Sequence, residues 1–183
     1  MTRDEAITLL RSHIKAETLI SHALAVEAAM RAYASKFGED ADKWALAGLL
    51  HDIDYEKHPS PEEHSLRGAE WLAAAGLPAD VVHAVKAHGT HPELAREDIM
   101  TKTLCAVDAL TGFIVAVALV RPSKKIADVE VKSVTKKMKY KAFAAAVNRD
   151  ELQKDAQDLG VEFSTHVATV LDSMKAIADK IGL

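Results

Sequence analysis

Helix start and stop signals recur from one end of the chain to the other, and this punctuation most constrains what it can fold into. Thr2-Arg-Asp-Glu5 is a capping box, in which a hydroxyl and a carboxylate three residues apart satisfy each other's free backbone N–H groups. A 3.6-residue apolar period predicts a helix over about 17–37, with Leu19, His22, Val26, Ala29, Met30 and Tyr33 near one face and Gly38 as its stop. Asp42 reads as the cap of a helix through Trp44, Leu46, Ala47 and Leu50 that reaches His51-Asp52. After the break at His58-Pro59-Ser60-Pro61, Ser60-Pro-Glu-Glu63 reads as a second capping box with Pro at the first helical position, opening a helix that ends near Gly76. Further helices are expected over 81–88, about 98–120, 148–160 and 161–181, with a turn at His91-Pro92. The Val129-Glu-Val131 alternation is too short for a sheet. The fold class is therefore all-α.

At 183 residues, 49% hydrophobic and 27% charged, the chain has the composition of one globular domain, 1–183, and can bury a core without covalent staples. The single Cys105 excludes an internal disulfide, a zinc finger or a redox pair, and points to a reducing, cytoplasmic setting. The N-terminal MTRDEAITLLRSHIK mixes acids with apolar residues, unlike a signal peptide. The longest unbroken apolar run, Phe113 to Val120, is far below the roughly 20 residues that span a bilayer, so no membrane partner is expected. A formal net charge of −4 argues against general nucleic-acid binding. Charge is uneven, however. Eight Lys/Arg between Arg121 and Lys141, against Asp128 and Glu130, make a local net of +6, a solvated surface able to receive an anion.

Nine His supply many neutral nitrogen donors. His51-Asp52 ends an apolar helix, and a burial-prone carboxylate needs a partner. His22 lies on the apolar side of the second helix, and Asp108 sits inside Leu104-Cys-Ala-Val-Asp-Ala-Leu110. His64 precedes Gly68 by one turn, and His88 adjoins Gly89, which permits close approach. Each alone reads as a satisfied core or helix-end residue. As a set on separate helices they resist explanation by packing. Imidazole and carboxylate without thiolate suit Fe, Mn, Zn, Co or Ni, and a shared Asp52 would let one or two divalent ions bind.

The ordered set His22, His51-Asp52 and Asp108 resembles the HD superfamily of metal-dependent phosphohydrolases. Ala47-Gly-Leu-Leu-His-Asp-Ile-Asp54 is similar to its HDIG signature, with Asp54 where Gly usually stands. His64-Ser-Leu-Arg-Gly68-Ala69-Glu70 and Ala84-Val-Lys-Ala-His88 resemble the two extra histidine segments of dinuclear members. The likeness covers about 15–112. It implies an HD-domain-like helical bundle with additional C-terminal helices over 113–183. It also implies His22, His51, Asp52 and Asp108 as ligands of a first ion, and His64 and His88 as ligands of a second, with Asp52 between. Relatives with six such ligands include diadenosine tetraphosphate hydrolases and cyclic-dinucleotide phosphodiesterases carrying a Gly-Tyr-Pro motif, which is missing here. Others are di-iron oxygenases.

The activity expected from this resemblance is hydrolysis of a small phosphate ester, typified by a nucleotide, through a metal-activated water. Asp52 acts with the ions in this reading, and Asp54 or Glu56 orients the water or takes its proton. Arg67 and Lys86, on ligand-bearing helices, are the candidate phosphate binders. His58 and His91 compete with their neighbours as ligands, whereas His13, His83 and His166 fit surface or packing roles. An oxygenase and a non-catalytic nucleotide-binding or interaction protein are the alternatives.

Overall fold

The computed structural model describes residues 1–91 and 93–183, so Pro92 of the expected turn lies outside the described residues. Ten α-helices follow one another, and no strand occurs among the described residues. Two 21-residue helices, α2 (Glu17–Phe37) and α6 (Ile99–Leu119), pack together at the centre. On α2 lie α3 (Ala41–Leu50) and α9 (Phe163–Lys175), and α1 (Arg3–His13) covers α3. Against α6 pack α5 (Ala79–His88), α7 (Val131–Met138) and α8 (Arg149–Asp158). α4 (Leu66–Ala74) pairs with α5, and α10 (Ala178–Ile181) touches α2. A hydrophobic cluster runs through these elements from Ala6 to Ile181.

Local chemistry places the elements. Thr2 and Glu5 form the expected reciprocal cap of α1. Arg3 then grips the buried Glu27 of α2 through two bonds of 2.6 and 2.8 Å, tying α1 to the centre. Where α3 crosses α2 the backbones nearly touch. A Cβ on Gly48 would meet the Val26 carbonyl oxygen at 2.9 Å and Glu27 Cα at 3.0 Å. Only glycine permits this approach, which brings the C-terminal end of α3, and so His51, beside α2.

By length and composition α6 is apolar enough to cross a membrane, although its longest unbroken apolar run is short. In this structure its apolar surface is used inside the bundle: Leu104, Val107, Leu110, Phe113, Ile114 and Val117 are all buried.

Four local expectations require correction. The cap of α3 is Asp40, which accepts from the N–H groups of Asp42 and Lys43, while Asp42 pairs with Arg31. The segment beginning at Ser60 makes only one helical turn, with Glu63 and His64 N–H bonded to the Ser60 carbonyl. α4 begins instead at Leu66, because Ser65 stands at φ 67°, outside helical space, with its hydroxyl donating to the Lys86 carbonyl. The basic stretch contains an unforeseen helix, α7, whose Val134 is buried while Lys132 and Lys136 are exposed. The last helix is two, α9 and α10, separated at Ile177.

A buried polar link joins the C-terminal helices to the centre. His166 of α9 donates from Nε2 to the Ala106 carbonyl at 2.9 Å and accepts from the Tyr33 hydroxyl at Nδ1, 2.5 Å. A carbonyl only accepts, so the neutral Nε2–H tautomer is fixed. Burial holds His166 below its ordinary pKa of 6.5, partly offset by the Ala106 bond, and burial raises Tyr33 to about 12. With the folded value depressed, the contribution of His166 is complete above the unfolded value and declines as pH falls below about 6.5. His166→Ala should lower the unfolding free energy by about 2–4 kcal/mol at pH 7.5. In urea titrations the gap between wild type and His166→Ala should narrow from pH 7.5 toward pH 5; a constant or widening gap contradicts this account.

Candidate metal centre

α2 and α6 each bring one donor to the middle of the bundle. His22 of α2 lies with Nε2 3.0 Å from Asp108 Oδ1 of α6. His51, at the C-terminal end of α3, points Nε2 to within 3.5 Å of Asp108 Oδ1 and 3.3 Å of Asp52 Oδ2. His22 Nε2 is 3.7 Å from the same Asp52 Oδ2. The other Asp52 oxygen faces away: Oδ1 lies 3.3 Å from His88 Nε2 and 3.4 Å from His64 Nε2. Asp52 therefore stands between two groups, His22, His51 and Asp108 on one side, His64 and His88 on the other. Adjacent rings in the order His22, His51, His88, His64 are each 5.1 Å apart between centroids.

The opposite edge of every ring is tied down. His51 Nδ1 donates to the Gly48 carbonyl at 2.8 Å, and His88 Nδ1 to the Val85 carbonyl at 2.5 Å. Both carbonyls belong to the last turn of a helix, where no further N–H arrives to use them, so ending α3 and α5 at these histidines supplies the acceptors. His64 Nδ1 is held by Asp54 Oδ1 at 3.0 Å. His22 Nδ1 donates to Thr111 Oγ1 at 3.3 Å, the threonine hydrogen being engaged by the Asp108 carbonyl. In the neutral rings each Nε2 is therefore a bare lone pair.

Six acceptors thus face one another, and they need a positive charge between them. His51 Nε2 shows the mismatch most sharply. It is buried and makes no hydrogen bond among the described residues despite two carboxylates within 3.5 Å. Burial disfavours charge on Asp52, Asp108 and His51. Mutual attraction outweighs it, holding both carboxyls well below their usual range and His51 well above its own. A proton on His51 is one way to balance the cluster; divalent cations bound by all six groups are another, and the all-imidazole and carboxylate set suits them. The negative ends of the α3 and α5 dipoles act in the same direction. His51, Asp52 and His88 are buried, whereas His22 and Asp108 keep 22% and 29% of their side chains exposed, so the site opens on their side.

The second group rests on a tightly fitted turn. Ser65, at φ 67°, anchors the residue after His64 to α5, and a Cβ on Gly89 would lie 2.4 Å from Ser65 Oγ. His91 is buried and donates from Nε2 to the His64 carbonyl at 3.0 Å, so it supports His64 in place of competing with it. Arg96 closes the end of α5 by donating to the carbonyls of Ala87, His88 and Gly89. Ser65, Thr111 and Arg96 carried no sequence signal, since each works through backbone atoms or through residues far along the chain.

The other expected site residues stand elsewhere. Asp54 is fully buried, with Oδ1 on His64 and Oδ2 accepting from Gly68 N–H at 2.7 Å; it positions a histidine and is not a free base. Glu56 is exposed and accepts the N–H groups of Lys15 and Ala16 at 2.7 and 3.0 Å, completing the start of α2. Arg67 is engaged by Glu63 and Glu70 on the surface. Lys86 is exposed on α5, and neither it nor Arg67 lines the cleft over His64, His88 and Asp108. His58 faces Glu63 and Trp71, outside the cluster. Cys105 does line the cleft, but burial pushes its thiol up to about 12, which removes it as a nucleophile.

A His/Asp cluster able to hold a metal ion, at the centre of an all-α bundle, defines the class of protein. The HD domain family matches residues 19–112, and the chain belongs to it. Ribonuclease Y of Nitratidesulfovibrio vulgaris is 31% identical over 97 residues, 52% of this chain and 18% of that protein. Ribonuclease Y 2 of Bdellovibrio bacteriovorus is 36% identical over 80 residues, covering 43% of this chain and 15% of that one. Ribonuclease Y of Syntrophobacter fumaroxidans is 30% identical over 98 residues, 53% and 18% respectively. The chain thus spans under one fifth of these relatives' length. No solved structure matches it significantly.

Two results are expected. Saturation with Mn²⁺ should load two ions per chain by elemental analysis and stabilise the fold by about 2.7 kcal/mol at a hundredfold excess over Kd. A plateau at one ion would remove Asp52 from between two sites. Asp54→Asn should weaken the ion on the His64 and His88 side about 10–100-fold while sparing the other, because its single carbonyl oxygen cannot accept from both His64 and Gly68; equal loss of both ions contradicts the division into two groups.

Proposed function

We propose that this chain is a metal-dependent phosphohydrolase that cleaves a phosphate ester of a nucleotide or similar small molecule through a metal-activated water. The observation that carries this reading is the split of Asp52, one oxygen toward His22 and His51, the other toward His64 and His88. His22, His51, Asp52 and Asp108 would hold one divalent cation, and His64 and His88 with Asp52 a second. Bound there, such cations supply a Lewis acid for the phosphoryl oxygens and lower the pKa of water at neutral pH.

The chain's own residues have definite parts in this proposal. Asp52 and Asp108 contribute the negative charge that keeps cations in the centre, and the anchored Nδ1 atoms keep four Nε2 lone pairs aimed inward. The exposed flank at His22 and Asp108 admits water and substrate. With Asp54 and Glu56 both engaged in backbone or histidine contacts, neither serves as the proton acceptor. The curated relatives are ribonucleases by name, which is consistent with phosphoester chemistry at this centre. The lone, protonated Cys105 fits work in a reducing, cytoplasmic compartment.

Mn²⁺- or Fe²⁺-loaded protein, prepared without oxygen, should be assayed on phosphomonoesters and phosphodiesters. Asp52→Ala and chelation should each lower kcat/KM at least about 100-fold with loss of metal, whereas Lys124→Ala, on the exposed basic stretch, should stay within about twofold. Near-normal cleavage by Asp52→Ala would sink the hydrolase reading. Iron-loaded protein that cleaves no ester but consumes O2 with an organic substrate would replace it with the oxygenase.

A further inference from the structure

The cleft over His64, His88 and Asp108 encloses about 430 Å³, and one wall comes from outside the HD-matched residues. Glu151, Lys154 and Asp155 of α8 form that wall. Their i, i+3, i+4 spacing puts them on one face of the helix. The helix is fixed in place on both counts that matter. Asn148 caps it by accepting from the N–H groups of Asp150 and Glu151, and the buried Leu152 and Ala156 secure it in the bundle, where α8 packs on α6. The wall is therefore a rigid element set by core packing, not a loop tip.

Asp155 is the informative residue. It is half-buried, and its carboxylate makes no hydrogen bond or ion pair among the described residues. Withdrawing a carboxylate from water without a partner is unfavourable, and a ligand's hydrogen-bond donors would relieve it. Across the cleft Arg96 is committed to three backbone carbonyls. Lys154 is exposed and among the described residues pairs with Asp158, a contact easily exchanged for an anion. The wall thus offers two acceptors and one releasable cation.

Charge and size then separate the ligand classes. A polynucleotide strand needs a continuous cationic groove, commonly with aromatic faces. No residue of the basic stretch 121–141 lines this cleft; Arg121, Lys136, Lys137 and Tyr140 border a different cavity of about 560 Å³. The cleft volume of about 430 Å³ lies within the ~300–1,000 Å³ of small-molecule sites.

We propose that α8 is the substrate-selecting wall of the cleft. It admits a phosphate ester of single-nucleotide size and receives the hydroxyl or amino donors of the nucleoside on Asp155 and Glu151, while Lys154 faces the phosphate. This inference rests on the phosphohydrolase reading for the phosphate end alone; the recognition of the nucleoside is additional to it.

Calorimetric titration of the Mn²⁺-loaded full chain tests it, using AMP in the form of its non-hydrolysable phosphonate analogue, inorganic phosphate and a single-stranded hexanucleotide as probes. Asp155→Ala should raise the Kd for AMP about tenfold, as loss of one charge-assisted bond, and leave that for phosphate within about twofold. Glu151→Ala, an exposed substitution that leaves the packing untouched, should act in the same sense about threefold, and it keeps the test valid should Asp155→Ala misfold. Thermal melts and metal content establish that each variant is intact. AMP affinity indifferent to both substitutions, equal weakening of AMP and phosphate, or tighter binding of the hexanucleotide than of AMP overturns the proposal. AMP binding that depends on Asp155, in a protein that cleaves no ester, overturns the hydrolase reading and leaves the wall standing.

Discussion

Six lone-pair donors brought face to face inside a bundle are the constraint on which the rest of this structure depends. Imidazole Nε2 and carboxylate oxygen atoms 3.0–3.7 Å apart do not attract one another when all are unprotonated. They can be assembled only where packing imposes the arrangement and positive charge balances it. His51 Nε2, buried and without a hydrogen bond, is where this frustration is most visible. The arrangement is imposed from behind: every ring is fixed through Nδ1, so none can turn its proton inward and dissolve the cluster.

Several otherwise unrelated features of the fold then share a cause. α3 and α5 end at His51 and His88, where a helix end leaves carbonyls three residues back free to hold the ring. Gly48 lets α3 approach α2 closely enough for His51 to reach the centre, and Gly89 makes room for Ser65. The positive φ of Ser65 is a strained conformation kept by its bond to the Lys86 carbonyl. Asp54 continues the pattern, as a buried carboxylate whose two oxygens orient His64 and the first turn of α4.

Labour is divided along the chain. Residues 19–112, matched by the HD domain family, carry all six donors. The helices beyond them buttress α2 and α6, through the Tyr33–His166–Ala106 link and a continuous apolar cluster, and contribute the α8 wall. The donors and the α8 wall thus sit on different segments of the chain.

Much of this was legible in the sequence, for identifiable reasons. Caps and stops are local, so α1, α2, α5, α6 and α8 could be read from Thr2, Gly38, Gly89, Asp98 and Asn148 and the apolar period between them. The six donors stood out because polar side chains in apolar runs need partners, and their order resembled a known family. Asp54, Glu56 and Arg67 are engaged in other contacts and Lys86 is exposed away from the cleft, because closeness in sequence to His51, His64 or His88 does not determine which way a side chain faces. The turn before α4, the helix α7 and the break at Ile177 depend on contacts with segments far along the chain, such as Ser65 with Lys86 or Val134 with the core. The sequence by itself determined the helices and the donor types. Only the tertiary structure decided that Asp52 stands between two groups, that Nδ1 is the bound nitrogen in all four rings, and that α8 lines the cleft. The physical reason is that these depend on distances between helices, which no local propensity encodes.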